Sequence, residues 1–457
     1  MTKTKLDLIN YNTFKRNNDL FKWVAYILAS IAFVFSFFHR SNTGVLAPYL
    51  IETFKASSIM LGLLSSIYFY SYSLMQPIIG FLIDKWKPRK MLTLAIFIMA
   101  SGTLIFASAP NLTFICIGRF LLGIGCAGIY IPGSWILTKY FAPSKRGFLF
   151  SIFIFSGNIG FLLSTSPFAK LINSLGWRNS LIGIGFISFI MMFLVWIFVK
   201  DNDSNKYDKI EEISLYNQEG ANIKNSNREN KKVSWFFIWK EIFSKPIIKY
   251  CTISISLTYG AIMSVQGLWA VPFLMDIYKY EKSIAYNLLT MIPFGYMVGI
   301  LLFSKFNDTK YGKYLYFSVN ACSTIIYLIF TLFTAQLPYV LISTLLFLLG
   351  FTRAGTPYIL KIYSIFLPQQ FYGTALGITN IFPLLGVALF QSFSGVLFDL
   401  FGGSNVLYRS LSSYKIYFLF LAISLVITTL VSYYIIKIVK NIIKERENKA
   451  ESIPFFL

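Results

Sequence analysis

The chain has 457 residues, of which 56% are hydrophobic and only 13% charged, with a formal net charge of +22. Apolar runs along its whole length exclude a soluble multi-domain protein and indicate a polytopic helical membrane protein. The Lys and Arg stand at the ends of those runs, where they set topology, so the positive charge gives no reason to expect a nucleic-acid partner.

Residues 1–22 are polar and basic, and the apolar run after them is too long for a signal-peptide core, so no cleavable signal is expected. The first apolar segment, 23–50, contains Ser36-Phe37-Phe38-His39-Arg40-Ser41-Asn42-Thr43-Gly44. Arg40 falls about 25 Å along a helix that starts near Trp23, past the middle of a ~30 Å hydrocarbon core. A charge there costs at least ~2.5 kcal/mol against insertion, so it is expected to face water or a partner rather than lipid. Ala29, Ala32, Ser36, Thr43, Gly44 and Ala47 share its helical side, which is small and partly polar. The stretch therefore reads as one wall of a solute pathway holding a fixed positive charge. His39, the single histidine, is the expected carrier if protons are coupled, because it titrates near neutral pH. Packing is the favoured reading for it, since Phe37 and Phe38 precede it.

Further apolar segments occupy 59–83, 89–109, 112–140, 147–172 and 178–200, and then 246–275, 285–305, 313–334, 338–366, 373–399 and 414–440. About twelve membrane crossings result. Basic clusters at 85–90, 145–146, 201–245 and 437–446 alternate with short connections poor in Lys and Arg. The positive-inside rule then puts both termini and the central loop in the cytoplasm, with the chain in the inner membrane of the cell. The expected organisation is an N-terminal half (1–200), a polar linker with an interfacial helix near 233–240 (201–245), and a C-terminal half (246–457). The halves echo each other. Phe120-Leu121-Leu122-Gly123 is matched by Phe347-Leu348-Leu349-Gly350, residues 80–84 by 304–308, and Gly44 with Ala47 by Gly267 with Ala270, all at an offset of about 225 residues. Such a repeat of six-span units builds transporters with a site between the halves.

Cys116, Cys126, Cys251 and Cys322 lie inside apolar segments without metal-ligand spacing and read as packing residues. No catalytic set and no phosphate-binding glycine loop is present, so neither an enzyme nor a cofactor or metal site is expected.

Gly80-Phe81-Leu82-Ile83-Asp84-Lys85-Trp86-Lys87-Pro88-Arg89-Lys90 resembles the loop signature after the second span of the major facilitator superfamily, with Lys87 where that signature has glycine. Arg119 with Gly123, Gly125 and Gly128 resembles its fourth-helix motif, and Gly176-Trp177-Arg178 its common feature before span 6. The resemblance implies an all-α membrane protein of twelve transmembrane helices in two six-helix pseudo-repeats. Within the superfamily, Arg40-Ser41-Asn42 followed by Pro48-Tyr49-Leu50 is similar to span 1 of the organophosphate:phosphate antiporters. Those hold phosphate between an Arg on span 1 and another on span 7. The matching place here holds Ser264, with Met263 and Gln266 beside it, and Arg353 on span 10 is the candidate substitute.

The expected substrate ligands are Arg40, Arg353, Gln266, Asn158, Tyr72, Tyr68, Trp269 and Asn380, with Gln76, Tyr259 and Tyr296 as further candidates for lining the cavity. Asp84, Arg89, Arg119, His39 and Asp308 are the expected coupling and gating residues. By resemblance Asp84 accepts hydrogen bonds from the start of span 11, as a carboxylate at a helix N-terminus does. The reading is a secondary transporter of a small organic anion, phosphorylated or carboxylated, working as a monomer by alternating access. The alternative is proton-coupled efflux of amphiphilic compounds.

Overall fold

The computed structural model describes residues 3–199, 235–307, 309, 311–368, 372–402 and 409–448. Twelve helices in it are long and apolar enough to cross a membrane. Spans 1 to 6 are Phe21–Ser41, Ser58–Ile83, Pro88–Ala107, Leu112–Tyr140, Lys145–Leu163 and Trp177–Phe198. Spans 7 to 12 are Pro246–Tyr278, Lys282–Phe303, Gly312–Leu332, Tyr339–Phe366, Thr374–Phe401 and Leu411–Ile442. No strand occurs among the described residues. Large apolar side chains such as Leu74, Phe148, Phe186, Leu301, Val340 and Leu400 stand exposed on the outside, as a bundle immersed in hydrocarbon requires.

Local chemistry ends these helices where the sequence changes. Ser57 and Asn111 accept the N–H groups of Met60 and Phe114, each at 3.2 Å, and so cap spans 2 and 4. Pro88 and Pro246 open their helices at a position that needs no N–H donor. Gly176, at φ +79°, turns the chain into span 6. Arg178 just beyond it donates to the carbonyls of Ala107 and Ala109 at 2.9 and 2.8 Å, closing the end of span 3.

Four of the segments read as continuous from the sequence are broken. Span 1 stops at Ser41 and restarts as Thr43–Phe54. The segment 147–172 divides into Pro143–Leu163 and Ser166–Leu175. Span 7 passes through a π-turn at Val265–Trp269, and span 10 divides into Tyr339–Arg353 and Pro357–Phe366. The last break has a legible cause: Pro357 brings no N–H and excludes the preceding turn from the helical ladder. Breaks of this kind are tolerated at membrane depth only where the freed backbone groups face protein or water. Spans 1, 7 and 10, which carry Arg40, Tyr259 and Arg353, have three of them.

Spans 2 and 11 run antiparallel along the seam between the first six and the last six spans. A Cβ on Gly62 would lie 2.5 Å from the Gln391 carbonyl oxygen and 3.2 Å from the Gly395 Cα. Gly62→Val should therefore cost about 1–3 kcal/mol by forcing the two helices apart. Gly80→Ala, on the same helix with no neighbour within 4 Å, should be neutral or stabilising. Thermal unfolding of the two variants in detergent checks the contrast, and equal melting would refute it.

With twelve crossings among the described residues, Phe21 of span 1 and Ile442 of span 12 lie on one face of the bundle. Hydrogen bonds that join the first six spans to the last six run from the level of Gln76–Asn380 toward the opposite, far face. The expected interfacial segment appears as a helix, Trp235–Ser244. It buries Ile238 and Ile242 and sets Trp239 5.6 Å from Phe382 of span 11. Residues 200–234, the body of the expected linker, lie outside the described residues.

Candidate functional site

Arg40 and Arg353 come from different halves of the chain and meet on one side chain. Arg40 is 6% exposed and donates from Nη1 to the Tyr259 hydroxyl at 3.1 Å. Its Cζ lies 4.4 Å from the ring centre of Phe37 and 5.0 Å from that of Tyr72. Arg353 is 8% exposed, with its Cζ 4.9 Å from the same Tyr259 ring, 4.4 Å from Tyr296 and 5.1 Å from Phe161. Aromatic faces stabilise a guanidinium electrostatically and leave its N–H edges available. Arg40 Nε and Arg353 Nη1 have no hydrogen-bond partner in the protein. Among the described residues the buried ion pair is Asp276 with Arg409, and neither Arg40 nor Arg353 touches a carboxylate. Two desolvated cations with unused donors form a site suited to an oxyanion.

The backbone breaks serve this geometry. Arg353 is the last residue of its helix, so the C-terminal end of the helix dipole favours its charge. Its carbonyl is satisfied by the N–H and hydroxyl of Thr356 at 3.1 and 2.7 Å. Below the interruption of span 1, the His39 carbonyl accepts from Arg119 Nη1 at 2.9 Å. Arg119 is fully buried and also donates to the Leu64 and Ser65 carbonyls and to Asn42 Oδ1, at 3.2, 3.4 and 3.5 Å. It thus ties the broken span 1 to span 2 and positions the turn that carries Arg40.

Other expected residues fall in three groups. Tyr72 stands with its ring against Arg40. Asn158 and Gln266 are buried with unpartnered side-chain atoms, Oδ1 in the first and both Oε1 and Nε2 in the second, which suits polar groups aimed at a ligand. Asn380 donates to Gln76 across the seam at 3.4 Å.

Trp269 requires correction. Its indole N–H is taken by Ser394 Oγ at 2.6 Å, and its ring lies tilted against Phe398 and under Arg409, so it belongs to the far-face packing. Tyr68 spends its hydroxyl on the Ser36 carbonyl at 3.2 Å and its ring on Arg119. His39 packs inside the first half, with Nε2 3.3 Å from Thr103 Oγ1 and Nδ1 3.5 Å from Asn42 Nδ2, which supports packing over proton carriage. Arg89 lies over the Trp196 ring at 4.1 Å. The Asp84 side chain and residue Asp308 lie outside the described residues.

Sequence reasoning missed a second cluster, at the far face. Asp276, 7% exposed, accepts from Arg409 Nη1 at 3.2 Å and from the Tyr414 hydroxyl at 2.8 Å. Arg409 reaches across the seam with Nε to Ser58 Oγ at 3.0 Å. Asp399 accepts the N–H groups of Ser58 and Ile59, both at 3.1 Å, placing a carboxylate at the start of span 2. Asp276, an acid two residues before the end of span 7, was the available signal.

The chain is 24% identical over 287 residues to the probable sulfoacetate transporter SauU of Cupriavidus necator, covering 62% of this chain and 64% of that protein, just under two thirds of its length. It is 23% identical over 374 residues to a probable hexose phosphate transport protein of Chlamydia trachomatis, covering 78% and 81% of the two chains. Among solved structures, it is similar in fold to a bacterial homologue of the human lysosomal transporter Spinster in an inward-facing, unoccupied conformation, with TM-score 0.70, 16% identity and coverage of 91% and 98%. The family description Major Facilitator Superfamily matches residues 29–390. That span takes in nine crossings whole, parts of spans 1 and 11, and both arginines, and the chain belongs to the Major Facilitator Superfamily, a family of multi-pass membrane transporters and not of enzymes.

Proposed function

We propose that this protein is a secondary transporter of a small organic anion, phosphorylated, sulfonated or carboxylated, bound between Arg40 and Arg353. The observation that carries the reading is the meeting of two buried guanidinium groups on Tyr259, each with a donor that nothing in the protein uses. In a low-dielectric interior such donors favour a charged oxygen strongly. Sulfoacetate and hexose phosphate, in the names of the two relatives, are both organic anions. Gln266 and Asn158 supply neutral polar contacts to the rest of the solute. The two six-helix halves rock about this site, and the cross-seam bonds of the far face are made in one state and broken in the other. By the charge rule the chain ends are cytoplasmic, so the far face is external and closed in this structure. The protein works as a monomer in the inner membrane.

Uptake of labelled sulfoacetate and glucose 6-phosphate into proteoliposomes tests the assignment. Arg40→Ala and Arg353→Ala should each lower uptake at least about tenfold, because each removes a charged partner from a buried anion, while thermal unfolding of the empty protein stays close to that of the wild type. Unchanged uptake in either variant would remove that arginine from the site.

A further inference from the structure

We infer that the hydroxyl of Tyr259 is a built-in competitor for the transported anion, a positioning residue that holds the anion's place on Arg40 and eases its release. The inference rests on the reading of Arg40 and Arg353 as the anion site.

Only part of each guanidinium group is free to meet a ligand. A guanidinium binds oxyanions through its N–H edges. Rings of Phe37 and Tyr72 stand against Arg40, and rings of Tyr259, Tyr296 and Phe161 against Arg353. Of the Arg40 donors, Nη1 is given to a neutral phenol oxygen at 3.1 Å. Among the described residues Tyr259 is therefore the side chain that engages both cations, one through its oxygen and the other through its ring face. A single rotation of Tyr259 would free Nη1 of Arg40 and uncover Arg353 together. Tyr259 is only half-buried and its hydroxyl makes no other hydrogen bond among the described residues, so little else resists that rotation.

The energetic consequence follows from the strengths of the competing bonds. A charged oxygen adds the attraction of opposite charges to its bond with guanidinium, which a neutral phenol oxygen does not. An anion displaces the phenol, whereas a neutral hydroxyl exchanges one neutral acceptor for another and gains nothing. When the anion leaves, the phenol returns, so Arg40 is not stranded in a low-dielectric site with an unused donor. A carrier needs such balance, because a solute held too tightly is not released on the other side.

Purified wild type, Tyr259→Phe and Arg40→Ala are compared by thermal shift against inorganic phosphate, sulfoacetate, glucose 6-phosphate and, as a neutral control, glucose. Uptake is measured in proteoliposomes with the same anions. Tyr259→Phe keeps the ring on Arg353 and removes only the competing oxygen. The half-saturating anion concentration should fall about three- to tenfold, the equivalent of one net hydrogen bond, and the saturated uptake rate should fall with it. Lower KM with lower kcat is the signature, since a merely structural tyrosine would not tighten binding. Weaker or unchanged anion binding in Tyr259→Phe, with Arg40-dependent binding intact in the wild type, overturns this inference alone. If no anion stabilises the wild type in an Arg40-dependent way, the anion site itself is overturned, and the inference with it.

Discussion

Asp276→Ala should destabilise the folded protein by about 3–5 kcal/mol, the penalty for leaving one member of a buried ion pair without its partner. The side chains of Arg409 and Asp276 are only 3% and 6% exposed. Removing the carboxylate leaves the guanidinium beside Trp269 and Phe398 with Ser58 Oγ as its remaining side-chain acceptor, and it deprives the Tyr414 hydroxyl of its own acceptor. Replacing both charges, as Asp276→Leu with Arg409→Leu, should recover much of the loss, because the cost lies in the uncompensated charge rather than in the missing attraction. The pair Lys282–Glu52 supplies a control. It is shorter, 2.7 Å, yet its side chains are 30% and 57% exposed, so Glu52→Gln should cost no more than about 1 kcal/mol. Thermal unfolding of the three variants and the wild type in one detergent decides the point. An Asp276→Ala protein as stable as Glu52→Gln would show that water reaches Arg409.

Arg119→Leu should cost roughly 3 kcal/mol or more and also impair anion uptake. Arg119 has no acid partner and is held by three carbonyls and the Asn42 amide oxygen. Hydrogen bonds from a charged donor are worth about 1.5–3 kcal/mol each, and the His39 carbonyl lies where the helical ladder of span 1 is interrupted. Without Arg119 that turn loosens, and Arg40 follows directly on His39, so its aim shifts. Arg119→Lys should rescue little, because an ammonium on a flexible stem does not reproduce a planar fork spanning three elements. Melting temperature and uptake measured together check this. Stability lost with uptake per folded molecule retained would separate Arg119 from the positioning of Arg40.

Much of the architecture was legible because lipid imposes a simple rule. A chain that must satisfy its backbone internally forms helices of membrane length, and apolar runs reveal them. All twelve crossings were visible this way, and so was Arg40, since a charge inside such a run has few places to go. The breaks at Asn42, Ser164–Thr165 and Val265–Trp269 were not legible. Nothing in Ser41-Asn42-Thr43 forbids a helix, and the interruption exists because Arg119, 77 residues away in sequence, competes for the His39 carbonyl and the Asn42 side chain. Gly355-Thr356-Pro357 did carry a signal, through proline, that a reading for length alone passes over.

The sequence by itself determined the solvent, the crossings, the family and the two cations, because each depends on composition or on residues close along the chain. Only the tertiary structure decided that Arg40 and Arg353 share Tyr259, that Trp269 belongs with Arg409 instead of with them, and that Asp276 is buried against a cation. Those pairings join residues 94 to 219 positions apart, and they bring Arg40 and Arg353 together from opposite sides of the seam. Which residues meet there depends on how whole helices pack, and local propensity carries no information about it.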